Sequence, residues 1–258
     1  MTIEQLIEKL RELRLHGMAD SLERQMKLPE KEPLRCEERI ALMIQGEVAE
    51  RANQAFQKRR RVAKIPMGQA CVEDIDHTLP REWDRRLLNT VCELPWIKQR
   101  LNVLITGPTG IGKSYVSSAI AQAACRANFS VRCFKIPKLA AELAKAQVLQ
   151  RKSAFLKQLA GTDLLVLDDL TAASLTDTFK RDLLEILDDR YDRKSTLVTS
   201  QLEVGAWHEA FNDPTLADAI LDRLVHNAYK LEPKGESLRK VLAQRALNAA
   251  SGPEPHAH

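Results

Sequence analysis

Residues 107–114 of the chain read Gly-Pro-Thr-Gly-Ile-Gly-Lys-Ser, the most informative segment of the sequence. It matches the pattern G-x-x-x-x-G-K-[ST]. The apolar run 102–106 precedes it, and the helix-forming stretch 116–127 follows it. The sequence therefore predicts a strand, a glycine-rich loop and a helix in succession.

The chemistry of this loop predicts a phosphate-binding site, called the phosphate loop below. Gly107, Gly110 and Gly112 permit backbone angles that turn several N–H groups toward one cavity, and the next helix adds its positive N-terminal end. We expect Lys113 to reach the β- and γ-phosphates of ATP, and the Ser114 hydroxyl to coordinate the Mg²⁺ that bridges them. The predicted nucleotide contacts are Gly107, Pro108, Thr109, Gly110, Ile111, Gly112, Lys113, Ser114 and Tyr115.

Two carboxylates follow a second apolar run. The sequence Leu164-Leu-Val-Leu is followed by Asp168 and Asp169, and a buried strand that ends in carboxylates calls for a cation. This pattern resembles a Walker B motif. We expect Asp168 to hold the Mg²⁺ through water, and Asp169 to orient and deprotonate the attacking water.

A third apolar run, 195–199, ends in hydroxyl and amide side chains. These groups can position a water beside the γ-phosphate, a role that would fall to Gln201, with Thr199 and Ser200 nearby. Simple capping of the strand end is the alternative. Arg223 follows on a short amphipathic segment, where pairing with a neighbouring acid is the plain interpretation.

Short apolar runs alternate with helix-forming segments through the second part of the chain. This alternation predicts an α/β fold, a parallel sheet with helices on both faces. The apolar runs are 101–106, 131–136, 164–168 and 196–199.

Helical spacing dominates the first part of the chain. Thr2 with Gln5 fits a capping box, Gly17 is predicted to end or bend the first helix, and a long helix is expected over 34–61. The predicted organisation is a helical N-terminal domain over 1–65, a linker over 66–80, an ATPase domain over 81–248 and a flexible tail over 249–258.

Composition sets the class of protein. With 44% hydrophobic and 29% charged residues, folding is the default expectation. Five cysteines without a C-x-x-C pair suggest reduced thiols rather than a disulfide framework or a zinc site. We see no secretory signal and no membrane span, and therefore expect a cytoplasmic protein.

The formal net charge of +4 is mild, but its distribution is uneven. One dense basic block precedes the predicted linker and consists of Lys58, Arg59, Arg60, Arg61 and Lys64. Such a block can neutralise several phosphates of duplex DNA with little sequence preference, so we expect contacts mainly to the DNA backbone. A solvated helix end, favoured by the helix dipole, is the alternative.

Taken together, these residues resemble the IstB-like AAA+ ATPases, the transposition helpers of bacterial insertion sequences. The nucleotide motifs are shared with the helicase loader DnaC and the initiator DnaA, whereas the N-terminal and C-terminal segments favour the IstB family. The segments that carry the resemblance are 13–19, 96–97, 102–114, 167–170, 199–201 and 234–240.

The resemblance implies a homo-oligomer that assembles on duplex target DNA with ATP, deforms the DNA, and recruits or stimulates a cognate transposase. Arg223 would then reach the ATP of a neighbouring subunit. Arg239 would contact either the γ-phosphate of its own ATP or DNA. Many AAA+ proteins have Glu where this chain has Asp169, whose side chain is one methylene shorter, so hydrolysis is expected to be slow. AAA+ sites often have Asn where this chain has Gln201.

The resemblance also implies that the strand before the phosphate loop is flanked by the Walker B and sensor strands. A helical lid often follows the sheet. Only about 35 residues follow Arg223, so the lid is expected to be reduced or absent.

Other classes of function compete with this one. A DnaC-like loader of a replicative helicase is the main alternative. A small-molecule kinase would need an acceptor pocket and a cluster of lid arginines, for which the sequence offers no candidates. A GTPase would need an N-K-x-D motif, which the chain lacks.

Overall fold

The computed structural model divides the chain into two compact units, Met1–Arg59 and Arg60–His258. Each unit is described by itself below. The predicted domain bounds stay a prediction. The residues that the structure describes are 2–27, 34–76, 81–170, 175–235 and 237.

The first unit consists of helices. They are α1 (Ile3–Glu12), α2 (His16–Lys27) and α3 (Cys36–Ala63), the last of which continues into the second unit. The predicted capping box is present: the N–H of Gln5 donates to the Thr2 hydroxyl, and the N–H of Thr2 donates to the Gln5 side chain. Leu10, Ala19 and Leu22 form the buried core of the unit.

Gly17 does not end or bend the first helix, so that prediction was wrong. It lies inside α2, where a Cβ atom would stand only 2.3 Å from the carbonyl oxygen of Gly46 on α3. The buried Glu47 carboxylate accepts the N–H groups of Gly17 at 2.9 Å and Met18 at 3.3 Å. The two glycines therefore allow close contact of the helix backbones, and Glu47 satisfies the free N–H groups at the start of α2.

The second unit is built on a five-stranded parallel sheet in the order β3-β4-β5-β2-β6. Its strands are β2 (Asn102–Thr106), β3 (Val131–Lys135), β4 (Leu164–Asp168), β5 (Ser195–Ser200) and β6 (Ala228–Leu231), and a separate antiparallel pair joins β1 (Arg81–Glu82) to β7 (Lys234–Gly235). The helices are α4 (Arg85–Cys92), α5 (Pro95–Lys98), α6 (Lys113–Arg126), α7 (Ile136–Val148), α8 (Lys152–Gly161), α9 (Asp177–Arg190), α10 (Trp207–Phe211) and α11 (Pro214–Val225), with a 3₁₀ turn at Val204–Ala206. The predicted α/β fold with a parallel sheet is confirmed.

The strand order contradicts the expectation that the Walker B strand lies directly beside the phosphate-loop strand. The phosphate-loop strand β2 lies between β5 and β6, and the Walker B strand β4 lies beyond β5. Strand β6 was not predicted, because it is a short edge strand in which only Leu231 is fully buried. Its remaining residues form no apolar run that the sequence pattern would reveal.

Part of the predicted linker lies within the second unit and packs against α6. The Gln122 side chain on α6 donates to the carbonyl oxygens of Gly68 at 2.9 Å and Ala70 at 2.7 Å. Ala70 and Ile75 are buried. The predicted tail over 249–258 and the segment of the expected lid after 237 lie outside the described residues. Within the described part of the chain, no helix is long and apolar enough to cross a membrane.

Candidate nucleotide-binding site

The phosphate loop connects the carboxyl end of β2 to the start of α6. Gly107, Gly110 and Gly112 have φ angles of 149°, 86° and 105°, which favour glycine over residues with a side chain. Ile111 is fully buried and anchors the loop to the core. Gly112 directly precedes α6, so the loop lies at the N-terminal end of a 14-residue helix. An anion in the loop would meet the positive end of that helix.

Lys113 folds back over the loop. Its ammonium donates to the carbonyl oxygens of Gly107 at 2.6 Å and Pro108 at 2.9 Å, and the side chain is largely buried. Burial lowers the pKa of the Lys113 ammonium, while the nearby carboxylates of Asp169 and Asp168 partly oppose this shift. A phosphate would give the ammonium a charged acceptor in place of neutral carbonyls, which makes a stronger hydrogen bond.

Ser114, Asp168 and Thr199 meet at the carboxyl edge of the sheet. The Ser114 hydroxyl donates to Asp168 Oδ1 at 3.1 Å, and the Thr199 hydroxyl donates to the same oxygen at 2.7 Å. Asp168 is buried, so the two hydroxyls stabilise its charge.

These oxygens fit the requirements of Mg²⁺ at a phosphate site. The ion binds there through one or two protein oxygens and completes its shell with water and phosphate oxygens. Ser114 and Asp168 supply one hydroxyl and one carboxylate. No group of three or more His, Cys, Asp or Glu side chains among the described residues could hold a metal by itself.

A chain of hydrogen bonds links the phosphate loop to the second acid. The Thr109 hydroxyl donates to Gln201 Oε1 at 2.7 Å, and Gln201 Nε2 donates to Asp169 Oδ1 at 3.0 Å. The N–H of Asp169 donates to the Thr199 hydroxyl at 2.9 Å. The sequence pattern did not reveal that Thr109 connects to Gln201. The Asp169 carboxylate is thus held by the Gln201 amide, which in turn accepts a hydrogen bond from the phosphate loop.

The segment after β6 packs against the phosphate loop, which the sequence analysis missed. A Cβ atom at Gly110 would stand 2.1 Å from the Ser237 hydroxyl, and one at Gly107 would stand 2.9 Å from the carbonyl oxygen of Pro233. The β1–β7 pairing holds this segment in place. Glycine at positions 107 and 110 therefore allows the close approach of Pro233 and Ser237 as well as the positive φ angles of the phosphate loop. Arg239 lies outside the described residues.

Tyr115, the last predicted nucleotide contact, points to a different neighbour. Its hydroxyl accepts the N–H of Cys71 at 3.5 Å. The side chain therefore connects α6 to the segment before β1, and a contact of Tyr115 with nucleotide stays a prediction.

Arg223 lies at the opposite edge of the sheet from the phosphate loop of its own chain. The Asn102 side chain, at the amino end of β2, donates to the Arg223 carbonyl oxygen at 3.0 Å, whereas the phosphate loop begins after the carboxyl end of that strand. The guanidinium contacts Asp188 at 2.8 Å and Asp222 at 2.7 Å and lies over the Tyr191 ring. The structure does not bring Arg223 to the other predicted site residues.

The basic block at the end of α3 is only partly directed to solvent. The Arg60 guanidinium donates to the Gly68 carbonyl oxygen, and the Lys64 ammonium lies 3.9 Å from the Glu142 carboxylate. Lys58 and Arg61 are exposed. DNA contact by this block stays a prediction.

Residues 8–246 match the family described as IstB-like ATP binding protein, a match that includes the phosphate loop, both acids and the strand-end residues. The chain belongs to this family. Its IstB-like relatives include the insertion sequence ATP-binding protein y4uH of Sinorhizobium fredii, which is 44% identical over 90% of this chain and 93% of the relative. The ATP-binding protein of insertion sequence IS1162 from Pseudomonas fluorescens is 39% identical over 78% of this chain and 87% of its own length.

Solved structures show the same fold at lower identity. DnaI matches 64% of this IstB-like chain and 92% of its own with a TM-score of 0.53 at 24% identity. A DNA replication initiation factor matches 70% of this chain and 55% of its own with a TM-score of 0.55 at 16% identity. These likenesses identify the fold as that of P-loop AAA+ proteins.

Proposed function

We propose that this IstB-like protein is a slow ATPase that assembles with ATP on duplex DNA and recruits or stimulates a transposase. One observation carries the proposal. The residues predicted to bind the triphosphate lie at the carboxyl end of the parallel strands, and Arg223 lies at their amino end. A complete ATP site would then combine the phosphate loop of one copy with the arginine of a second copy.

The residues at the phosphate loop have separate tasks in this proposal. The loop and Lys113 hold the β- and γ-phosphates, and Ser114 with Asp168 holds Mg²⁺, which neutralises charge on the phosphate oxygens. Asp169 accepts the proton of the attacking water, while Gln201 keeps the carboxylate in place. The Gln201 amide donates to both Asp169 oxygens, at 3.0 and 3.3 Å. Because these hydrogen bonds use acceptor positions of the carboxylate that the attacking water would need, we expect slow ATP hydrolysis.

Contribution of Arg223 in trans gives a sharp prediction. We expect Arg223→Ala to bind ATP normally but to lose at least about 100-fold in ATPase rate, since the arginine would stabilise charge on a neighbour's γ-phosphate. Lys113→Ala should also be inactive, because it keeps Arg223 but lacks the lysine that holds the phosphates of ATP. A mixture of the two variants should regain activity, because some interfaces combine an intact phosphate loop with an intact Arg223.

Activity of the mixture is measured as phosphate release at a series of mixing ratios. Arg193→Ala, which removes an exposed arginine from the same end of the sheet, serves as the control and should retain the parental rate. A mixture no more active than its two components would place Arg223 outside the ATP site.

Action on DNA is supported by the basic block and by the relatives, which are named as ATP-binding proteins of insertion sequences. We expect the purified protein to form large particles on long duplex DNA with ATP and Mg²⁺, but not with ADP. Phosphate contacts should make assembly weaken steeply as salt is raised. Electron microscopy of the mixtures checks this prediction.

The same experiment separates the proposal from a DnaC-like helicase loader. A loader would favour single-stranded DNA and would require its helicase. ATP-independent binding, or particles that form only on single strands, would contradict the transposition role. Stimulation of strand transfer by the transposase encoded in the same insertion sequence tests the recruitment step.

A further inference from the structure

Thr109 lies in the phosphate loop, but its side chain takes no part in the hydrolysis proposed above. The side chain is exposed, and its hydroxyl donates to Gln201 Oε1 at 2.7 Å, a shorter distance than either hydrogen bond from Gln201 to Asp169. Gln201 directly follows β5, on the strand next to β2. This hydrogen bond therefore joins the loop that would hold the phosphates to the side chain that contacts the proposed base.

The Gln201 amide is held at both ends. An ionised carboxylate only accepts hydrogen bonds, so the amide turns Nε2 toward Asp169 and Oε1 toward Thr109. The Thr109 hydroxyl suits this orientation, because it can donate to Oε1. A donor at the amide oxygen also polarises the amide, which strengthens the hydrogen bonds that Nε2 donates to Asp169.

The backbone of Asp169 is fixed beside this amide. The N–H of Asp169 donates to the Thr199 hydroxyl at 2.9 Å. The next residue, Leu170, is fully buried, and its N–H donates to the Thr199 carbonyl oxygen at 2.9 Å. Since the backbone is held on both sides of the Asp169 side chain, release of the carboxylate depends on movement of Gln201.

We propose that Thr109 is a positioning residue that slows ATP hydrolysis by keeping the Gln201 amide against Asp169. Both carboxylate oxygens accept hydrogen bonds from this amide, and a base needs a free acceptor position for the water that it deprotonates. Without the Thr109 hydroxyl, the Gln201 side chain would turn to solvent more often and leave Asp169 free. This inference rests on the proposed role of Asp169 as the base.

Thr109→Val should raise kcat for ATP hydrolysis by about 3- to 10-fold, the effect expected from the loss of one hydrogen bond. Valine has nearly the shape of threonine and keeps every backbone N–H of the loop, so the KM for ATP should change by less than about 2-fold. Thr109→Ser keeps the hydroxyl and should stay much closer to the parental rate than Thr109→Val. Thr215→Val, at an exposed threonine in the first turn of α11, is the matched control and should hydrolyse ATP like the parent.

A double-mutant cycle tests whether Thr109 acts through Gln201. In the Gln201→Ala background, Thr109→Val should change kcat by less than about 2-fold. An effect of equal size in both backgrounds would mean that the valine acts through the phosphate loop itself, and would overturn the proposal. A kcat that falls or stays the same in the single Thr109→Val variant would overturn it as well.

The contact can also be observed without nucleotide, by NMR of the isotope-labelled full chain. The side-chain NH₂ signals of Gln201 are identified by their loss in Gln201→Ala. Thr109→Val should move these signals toward the positions typical of glutamine in water, whereas Thr215→Val should leave them in place. Signals that do not move in Thr109→Val would overturn the proposal. A parent chain that does not hydrolyse ATP would instead contradict the proposed function, because the amide signals are read without nucleotide.

Discussion

Replacement of Lys113 by alanine should reduce ATP affinity by about 100- to 1000-fold, the largest effect that we expect from a single substitution. The ammonium is positioned over the loop by the carbonyl oxygens of Gly107 and Pro108. Charge-assisted hydrogen bonds to two phosphates would contribute about 3–4 kcal/mol, which corresponds to that loss. Titration calorimetry with ATP and Mg²⁺ measures the effect directly.

The same substitution should not unfold the protein. Burial lowers the pKa of Lys113, and its hydrogen-bond partners are neutral carbonyls rather than a carboxylate. The melting temperature without nucleotide should therefore stay near the parental value. Lys138→Ala, on the exposed side of α7, controls for removal of a lysine. Parental ATP affinity in Lys113→Ala would contradict the assignment of the phosphate loop.

Replacement of Asp169 by asparagine should lower the ATPase rate by about 100-fold or more while ATP binding is retained. A general base contributes about this much to catalysis, and an amide cannot accept the proton. Asparagine suits the site conformationally, because residue 169 has a φ of 66°, a region in which Asp and Asn are enriched. Single-turnover hydrolysis and nucleotide titration together check the two parts of the prediction.

The Asp169→Asn variant should also hold its ATP-bound assembly on DNA for longer than the parent does. Asp189→Asn, which changes an exposed acid on α9, is the matched control and should leave the rate unchanged. Hydrolysis at the parental rate in Asp169→Asn would mean that another group activates the water.

Local sequence patterns were sufficient for the central part of the fold. The glycines of the phosphate loop and the acids at the carboxyl end of β4 are encoded in short stretches, since backbone conformation and strand burial act on neighbouring residues. Strand β6 was missed because three of its four residues are partly or fully exposed. Gly17 was misread, because a glycine needed for contact with another helix looks in sequence like one that ends a helix.

Contacts between distant residues could not be predicted. Arg223 pairs with Asp188, which lies 35 positions earlier, and Gln201 connects to Thr109 across 92 positions. Only the packing of α9 against α11, and of β5 beside β2, brings these side chains together. The roles predicted for the site residues therefore follow from the chemistry of their side chains alone, and the substitutions proposed above test those roles.

Asn102 connects Arg223 to the strand that leads to the phosphate loop, the two parts that this chain would contribute to different ATP sites. Its amide group donates to the Arg223 carbonyl oxygen and to Asn227, and its carbonyl oxygen accepts the N–H of Thr196 on β5. Strand β2 runs from Asn102 to Thr106, directly before Gly107. In the proposed oligomer, a displacement of Arg223 by a neighbouring protomer would be transmitted through β2 to the phosphate loop of the same chain. Nucleotide binding at one ATP site would thus be coupled to binding at the next.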